Sequence, residues 1–293
     1  MDFNCNLENT FIPSVSTVSA VEYIHSAVDS IESTVDPVFT RYLYVVQDVF
    51  WSLLCCILKK EREDAIFWAY ELYYSGFNHK VIHFLEFIYS EFHENVNSPK
   101  VKRFLEKKIR ELRIHSNKEW VLATIVATMS SRECDMEGFL VKYGDFERSD
   151  TIPTCEKNKR HIYPIYQEKD IVAYKTVTTD FVCKRDILSV VCTHSTYKDP
   201  EKLIASTHCE YLNNIITHPY SREELAHMFR YEWEYYSYFT PIWKTRGEQY
   251  GALLNHSTKK LEFASEDIEE MFYRKYGYEP DEQPVDVLGN CIG

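Results

Sequence analysis

The chain has 293 residues, of which 45% are hydrophobic and 15% aromatic, and this composition excludes an intrinsically disordered polypeptide. Its formal net charge of −12 opposes binding to a phosphate backbone unless positive charge is concentrated locally. Only 8 glycines and 10 prolines stand beside 22 tyrosines and 17 phenylalanines, which favours long, closely packed helices over a turn-rich β sandwich.

The N-terminal residues are expected to form a flexible leader and then a docking helix. Residues 1–17 are rich in Ser, Thr and Asn, and residues 1–9 lack the basic start and apolar core of a signal peptide. A narrow apolar stripe follows within residues 18–33: Val21, Ile24, Val28 and Ile31. A stripe this thin predicts an arm that docks on a neighbouring chain, with docking on its own domain as the alternative.

Residues 18–133 are predicted to form an N-terminal helical domain. Asp36–Pro37 and Ser98–Pro99 place a capping residue before a proline at the first helical position, and Gly76 indicates a left-handed helix end. Apolar periodicity predicts helices at 18–33, 37–60, 62–75, 79–95, 99–114 and 117–130. Their connections are short, so sequential helices are expected to pack antiparallel.

The pattern changes after about residue 133. β-branched runs at 171–177 and 187–191 predict short strands within a mixed segment at 134–198. Helical patterning returns at 200–216, 221–240 and 265–276, in a C-terminal helical region at 199–293 with an acidic tail. The expected fold is mainly α, an antiparallel helical bundle or an irregular α-solenoid, with a small β insertion in the middle.

Helix 99–114 carries the sharpest charge pattern in the chain. Opposite its apolar stripe (Val101, Leu105, Ile109 and Leu112), four cations share what is called the basic face: Lys100, Arg103, Lys107 and Arg110. The basic face is predicted to bind an acidic protein partner, or phosphates of a nucleic acid as the less favoured alternative. An ordinary solvated helix face is the more common explanation of such a pattern, and the acid-rich residues 262–286 could meet the basic face within one chain or between subunits.

Two groups of histidine and cysteine bear on metal or catalytic chemistry. His79, His83 and Glu86 are spaced for one helix face, but they lack the adjacent glutamate of a zincin motif and a fourth ligand. The second group has no CxxC pair: Cys183, Cys192, His194, His208 and Cys209. A Cys192–His208 nucleophile pair is a less favoured alternative. No metal and no cofactor is expected.

Other motifs that would identify an enzyme are missing. The glycines form no GxGxxG, Walker A or GxSxG pattern, so no small-molecule substrate is indicated and a non-enzymatic protein is expected. The aromatic run at 232–239 is expected to pack in the core.

Nine scattered cysteines indicate reduced thiols. The longest apolar stretch, 43–58, is shorter than the ~20 residues of a membrane span. A soluble intracellular protein is therefore expected.

Four segments of the chain suggest a relationship: AIFWAYELYYSGF at 65–77, FIYSEFHENVNSPKVKRFLEKK at 87–108, TPIWKTRGEQYG at 240–251 and YGYEPDEQP at 276–284. They resemble segments of an uncharacterised protein family of the nucleocytoplasmic large DNA viruses. The resemblance brings no activity and no catalytic residues. It implies a viral origin and a place in the host cytoplasm, the viral factory or the virion.

These observations together predict a non-enzymatic viral protein that works by protein–protein contact, as a virion structural or assembly component. Its partners are expected to be other virion proteins or further copies of the chain. The alternative is an accessory factor of viral replication or transcription that contacts nucleic acid through helix 99–114.

Overall fold

A computed structural model of the chain describes residues 37–145, 147, 163–175, 204, 207–276 and 279. By its internal contacts the chain divides into two units, residues 1–36 and residues 37–293, and every described residue belongs to the second. The described residues are mainly helical, as the sequence predicts.

The described helices are, in chain order, α1 (Val46–Leu58), α2 (Arg62–Leu72), α3 (Asn78–Ile88), α4 (Pro99–Ile114), α5 (Trp120–Ser130), α6 (Met136–Tyr143), α7 (Val172–Lys175), α8 (Glu210–Ile216), α9 (Arg222–Tyr231), α10 (Trp233–Ser237), α11 (Pro241–Gln249) and α12 (Glu266–Tyr276). Short connections join the successive helices from α1 to α6. Two π-helical turns, Tyr73–Phe77 and Tyr89–His93, extend α2 and α3, and a 3₁₀ turn, Glu168–Ile171, precedes α7. Strands β1 (Leu253–Asn255) and β2 (Lys260–Glu262) form an antiparallel hairpin with Leu254 opposite Leu261.

Helices α1 and α5 form the centre of the fold. Every residue from 121 to 130 is buried, as is every residue from 49 to 57, because both helices are apolar nearly all round. The hydroxyl groups on α5 need a partner there: Thr128 donates to the carbonyl of Thr124 at 2.6 Å and Ser130 to that of Val126 at 2.9 Å. Helix α2 packs on both central helices and α4 packs on α5.

The segment before α1 corrects the prediction of a helix over 37–60. Residues 37–45 form an irregular loop with an isolated bridge between Phe39 and Val45, and Leu43 has a φ of 65°. A buried ion pair holds the loop: Arg41 Nε donates to Glu71 at 2.9 Å, and the Tyr42 amide donates to the other carboxylate oxygen at 3.0 Å. These contacts, made about 30 residues along the chain, override the local helical periodicity.

A second correction concerns the β structure, which the sequence places in the middle of the chain. Residues 171–175 are helical instead, because Gln167 and Asp170 form a capping box that starts the turn and Ile171 is buried. The strands are found at 253–255 and 260–262. The other predicted strand, 187–191, lies outside the described residues.

The helices predicted at 62–75, 79–95, 99–114, 117–130 and 265–276 agree with the structure in outline. Of the helix predicted at 200–216, residues 207–209 are not helical, 210–216 form α8, and most of 200–206 lies outside the described residues. The predicted helix at 221–240 is interrupted at Glu232, whose ψ of 13° lies outside the helical region, and the predictions omitted α6 and α11. Gly76 has a φ of 98°, which confirms the predicted left-handed helix end. The predicted helix at 18–33 lies outside the described residues.

Candidate interaction surface

Helix α4 is positioned by one apolar stripe. Pro99 occupies its first turn, where the missing amide hydrogen costs nothing. Val101, Leu105, Ile109 and Leu112 are all buried, which confirms the predicted stripe, and they turn the helix toward α5. The opposite side of α4 therefore faces outward.

Cations beside the basic face are neutralised by acidic neighbours. Four ion pairs hold them: Lys102 with Glu94, Lys108 with Glu111 at 2.9 Å, Lys118 with Glu111 at 3.0 Å, and Arg113 with Glu86 at 2.6 Å. The hydrogen bonds from Lys108 and Lys118 lower the pKa of Glu111 to about 2. The positive charge of these flanking residues is thus largely balanced within the fold.

The basic face itself is exposed and not balanced in this way. Lys100, Arg103, Lys107 and Arg110 are all exposed, and none of their side chains forms an ion pair or hydrogen bond with another described residue. Ten residues separate Lys100 from Arg110, so the face runs for about 15 Å along the helix axis. Four exposed positive charges therefore lie along one side of α4 without an acidic partner among the described residues.

Two further exposed residues qualify the chemistry of this surface. Glu106 projects from the same outer side of α4, between Arg103 and Arg110 in the helical spacing. Ile114 follows Arg110 by one turn and leaves 66% of its surface exposed. A carboxylate among the cations repels phosphate, and an exposed isoleucine at the end favours an apolar contact.

The predicted docking stripe of Val21, Ile24, Val28 and Ile31 lies outside the described residues.

The two histidines on α3 lie in different surroundings. His79 is exposed, while His83 Nδ1 lies 3.2 Å from Glu86, the carboxylate that pairs with Arg113. Within the part of the chain that the structure describes, no three His, Cys, Asp or Glu side chains form a group that could hold a metal ion. No described helix is both long and apolar enough to span a membrane.

The cysteine–histidine group is described only at one end. Cys183, Cys192 and His194 lie outside the described residues. His208 is exposed, and its amide donates to the Tyr143 carbonyl at 2.6 Å. Cys209 is buried, and this burial raises the pKa of its thiol, which favours the unreactive protonated form.

The aromatic run at 232–239 packs in the core, as predicted, and it contains a buried carboxyl group that the sequence did not reveal. Glu234 is only 2% exposed, and its carboxylate accepts hydrogen bonds from the Leu261 amide of β2, at 2.9 Å, and from the Tyr273 hydroxyl of α12. Burial raises its pKa to about 7. Glu234 therefore ties α10 to the hairpin and to α12.

His93 is a second buried titratable group. It is 1% exposed, and Nδ1 lies 3.0 Å from the Glu133 carbonyl, so the neutral ring donates its Nδ1 proton there. Burial lowers its pKa to about 4. Neither His93 nor Glu234 is open to a substrate, so both act within the fold.

Compared with protein-family models, with curated proteins and with solved structures, the chain gives no match in any of the three.

Proposed function

We propose that this chain is a non-enzymatic protein that works by protein–protein contact, and that the basic face of α4 binds an acidic protein partner. The observation that carries the proposal is the contrast in charge balance along one helix. Lys102, Lys108 and Arg113 have acidic partners, whereas the four residues of the basic face are exposed and have none among the described residues.

A protein fits this surface better than a nucleic acid. The exposed carboxylate of Glu106 would oppose a phosphate strand laid along the face, whereas an acidic protein surface can place a donor or a cation there. Ile114 adds an apolar contact at one end. The net charge of −12 adds long-range repulsion from any polyanion.

The resemblance of residues 65–77, 87–108, 240–251 and 276–284 to a family of large DNA viruses supports a more specific role. We infer that the chain is a virion structural or assembly component, present in the host cytoplasm or viral factory. Charge complementarity sets the choice of partner and the rate of encounter in such contacts more than it sets affinity.

A second candidate function uses the same basic face on nucleic acid, as an accessory factor of replication or transcription. The regular spacing of four exposed cations favours it. Salt separates the two candidates, because a protein that neutralises several phosphates loses affinity steeply and regardless of sequence as salt rises.

The proposal is tested by affinity capture of the tagged chain from infected cells, with and without nuclease, followed by mass spectrometry. The test variant is Arg103→Glu, Lys107→Glu and Arg110→Glu combined. Its matched control reverses three exposed cations elsewhere, Lys169, Arg222 and Lys244, so that net charge changes equally.

Virion proteins that survive nuclease, and that are lost with the test variant but not with the control, would support the proposal. Retention of the same partners by the test variant would refute it. Replication proteins lost on nuclease treatment would instead favour the second candidate.

A further inference from the structure

Helix α12 carries an exposed acidic face. Glu266, Asp267 and Glu270 are all exposed, and Glu270 makes only a loose ion pair with Arg274, at 3.7 Å. Three rings on the other side hold the helix on the core: Phe272, Tyr273 and Tyr276. The acidic face is therefore fixed in position and opposite in charge to the basic face of α4.

Both faces also end in an exposed apolar side chain. Ile114 follows Arg110 by four residues and is 66% exposed; Met271 follows Asp267 by four residues and is 55% exposed. Because four residues rise about 6 Å along either helix, a parallel placement that sets Met271 against Ile114 sets Asp267 against Arg110. In this register one charge pair, Asp267 with Arg110, coincides with one apolar pair, Met271 with Ile114.

The two faces do not satisfy each other within one molecule. Among the described residues, no ion pair or hydrogen bond joins α4 to α12. Resting on the function proposed above, we propose that the basic face of α4 binds the acidic face of α12 on a second copy of this chain.

Such a contact is heterologous, because each copy contributes a different surface. One copy therefore keeps a basic face free for the next, and association continues into a ring or an open chain. Two helix faces bury less than a standard interface, so the contact is expected to be weak, concentration-dependent and sensitive to salt. A weak, concentration-dependent contact suits a protein that assembles at high local concentration.

The test is sedimentation velocity of the purified full chain over a range of concentrations, at low salt and at about 0.5 M salt, where the screening length falls to about 4 Å. We expect the mean mass to rise with concentration at low salt and to fall to that of the monomer at high salt. A wild-type chain that stays monomeric at low salt overturns the inference.

Charge reversal then identifies the surfaces. The variant Arg103→Glu, Lys107→Glu, Arg110→Glu and the variant Glu266→Lys, Asp267→Lys, Glu270→Lys are each expected to sediment as monomers, while the control reversed at Lys169, Arg222 and Lys244 associates like the wild type.

An equal mixture of the first two variants should associate again, because each reversed face then meets its complement. The two variants shift the net charge by six units in opposite directions from −12, so both remain negative and general attraction cannot explain the recovery. A mixture that remains monomeric refutes the pairing of these two faces.

The two proposals fail in different ways. If the wild type is monomeric but the basic-face variant still loses its virion partners in the capture experiment, the second copy is excluded and the proposed function stands. If the basic-face variant keeps every captured partner, the proposed function fails whatever the sedimentation shows.

Discussion

The buried carboxyl of Glu234 should make the stability of this protein depend on pH in a way that one substitution removes. In Glu234→Gln the side-chain carbonyl can still accept the Leu261 amide, and the new NH₂ group can donate to the Tyr273 hydroxyl oxygen. The variant keeps the shape of the site and one hydrogen bond to each partner, with the bond to Tyr273 reversed in direction, but it cannot ionise.

The direction in which stability changes with pH follows from the two pKa values of Glu234, which are about 7 in the folded chain and 4.5 as the ordinary value. The folded state holds the Glu234 proton more tightly than the unfolded state does, so protonation of Glu234 stabilises the fold. This stabilisation is complete below pH 4.5 and is lost as pH rises through 7. The full effect is about 3 kcal/mol, and most of it is lost between pH 5 and pH 8.

The assay is urea denaturation of the wild type and of Glu234→Gln at several pH values between 5 and 8. The free energy of unfolding of the wild type should fall relative to that of the variant by about 2–3 kcal/mol over this range. His93 titrates in both proteins and cancels in the difference. Glu262→Gln, an exposed neighbour on β2, is the control and should follow the wild type. A constant difference between wild type and Glu234→Gln would refute the reasoning.

Three further predictions follow from the described contacts. Glu71→Ala leaves the buried Arg41 guanidinium without its carboxylate and should lower the free energy of unfolding by about 3–5 kcal/mol in urea denaturation; a loss below about 1 kcal/mol would contradict a structural role for this pair. Gly76→Ala forces a side chain into a φ of 98° and should cost about 1–2 kcal/mol by the same assay, whereas an unchanged midpoint would mean that the turn relaxes. The combined Arg103→Glu, Lys107→Glu and Arg110→Glu variant should keep wild-type circular dichroism and lose no more than about 0.5 kcal/mol per substitution, and unfolding of this variant would show that the basic face supports the fold.

Local sequence signals were sufficient to predict a helix whose start and apolar face are set by residues within the helix itself. Helix α4 spans Pro99–Ile114, the range predicted from Ser98–Pro99 and from the spacing of four apolar residues. A proline at the first turn and a single apolar stripe need no information about distant residues. The left-handed conformation of Gly76 was likewise predictable from local sequence, because a glycine that follows an apolar helical run is a common helix end.

Long-range contacts decided the segments that the sequence predicted wrongly. The helical periodicity of residues 37–45 gives way to the Arg41–Glu71 ion pair and to a hydrogen bond from Trp243, which lies 202 residues from Arg41.

The hairpin at 253–262, in contrast, has a local signal that was missed. Asn255 accepts a hydrogen bond from the Ser257 amide and closes a polar turn between two leucine-containing strands.

The candidate surface also has one part that could be predicted from local sequence and one part that could not. The helical spacing of Lys100, Arg103, Lys107 and Arg110 is enough by itself to place them on one face. Which cations are neutralised was not predictable, because Glu86 and Glu94 reach α4 only through the packing of preceding segments. The burial of Glu234 likewise depends on contacts with β2 and α12. The sequence around residue 234 gives no indication of these contacts.

The central claim is that a protein partner contacts the basic face of α4. Glu106 is exposed on this side of the helix, so a photo-crosslinking residue such as benzoylphenylalanine can replace it without removing any of the four cations. We predict protein crosslinks from position 106 in cells that express the chain. If the partner is a second copy, the crosslinked peptides should map to 262–276. The same residue placed at position 169 should give none of these crosslinks. Crosslinks to nucleic acid, or a pattern identical at the two positions, would contradict the account.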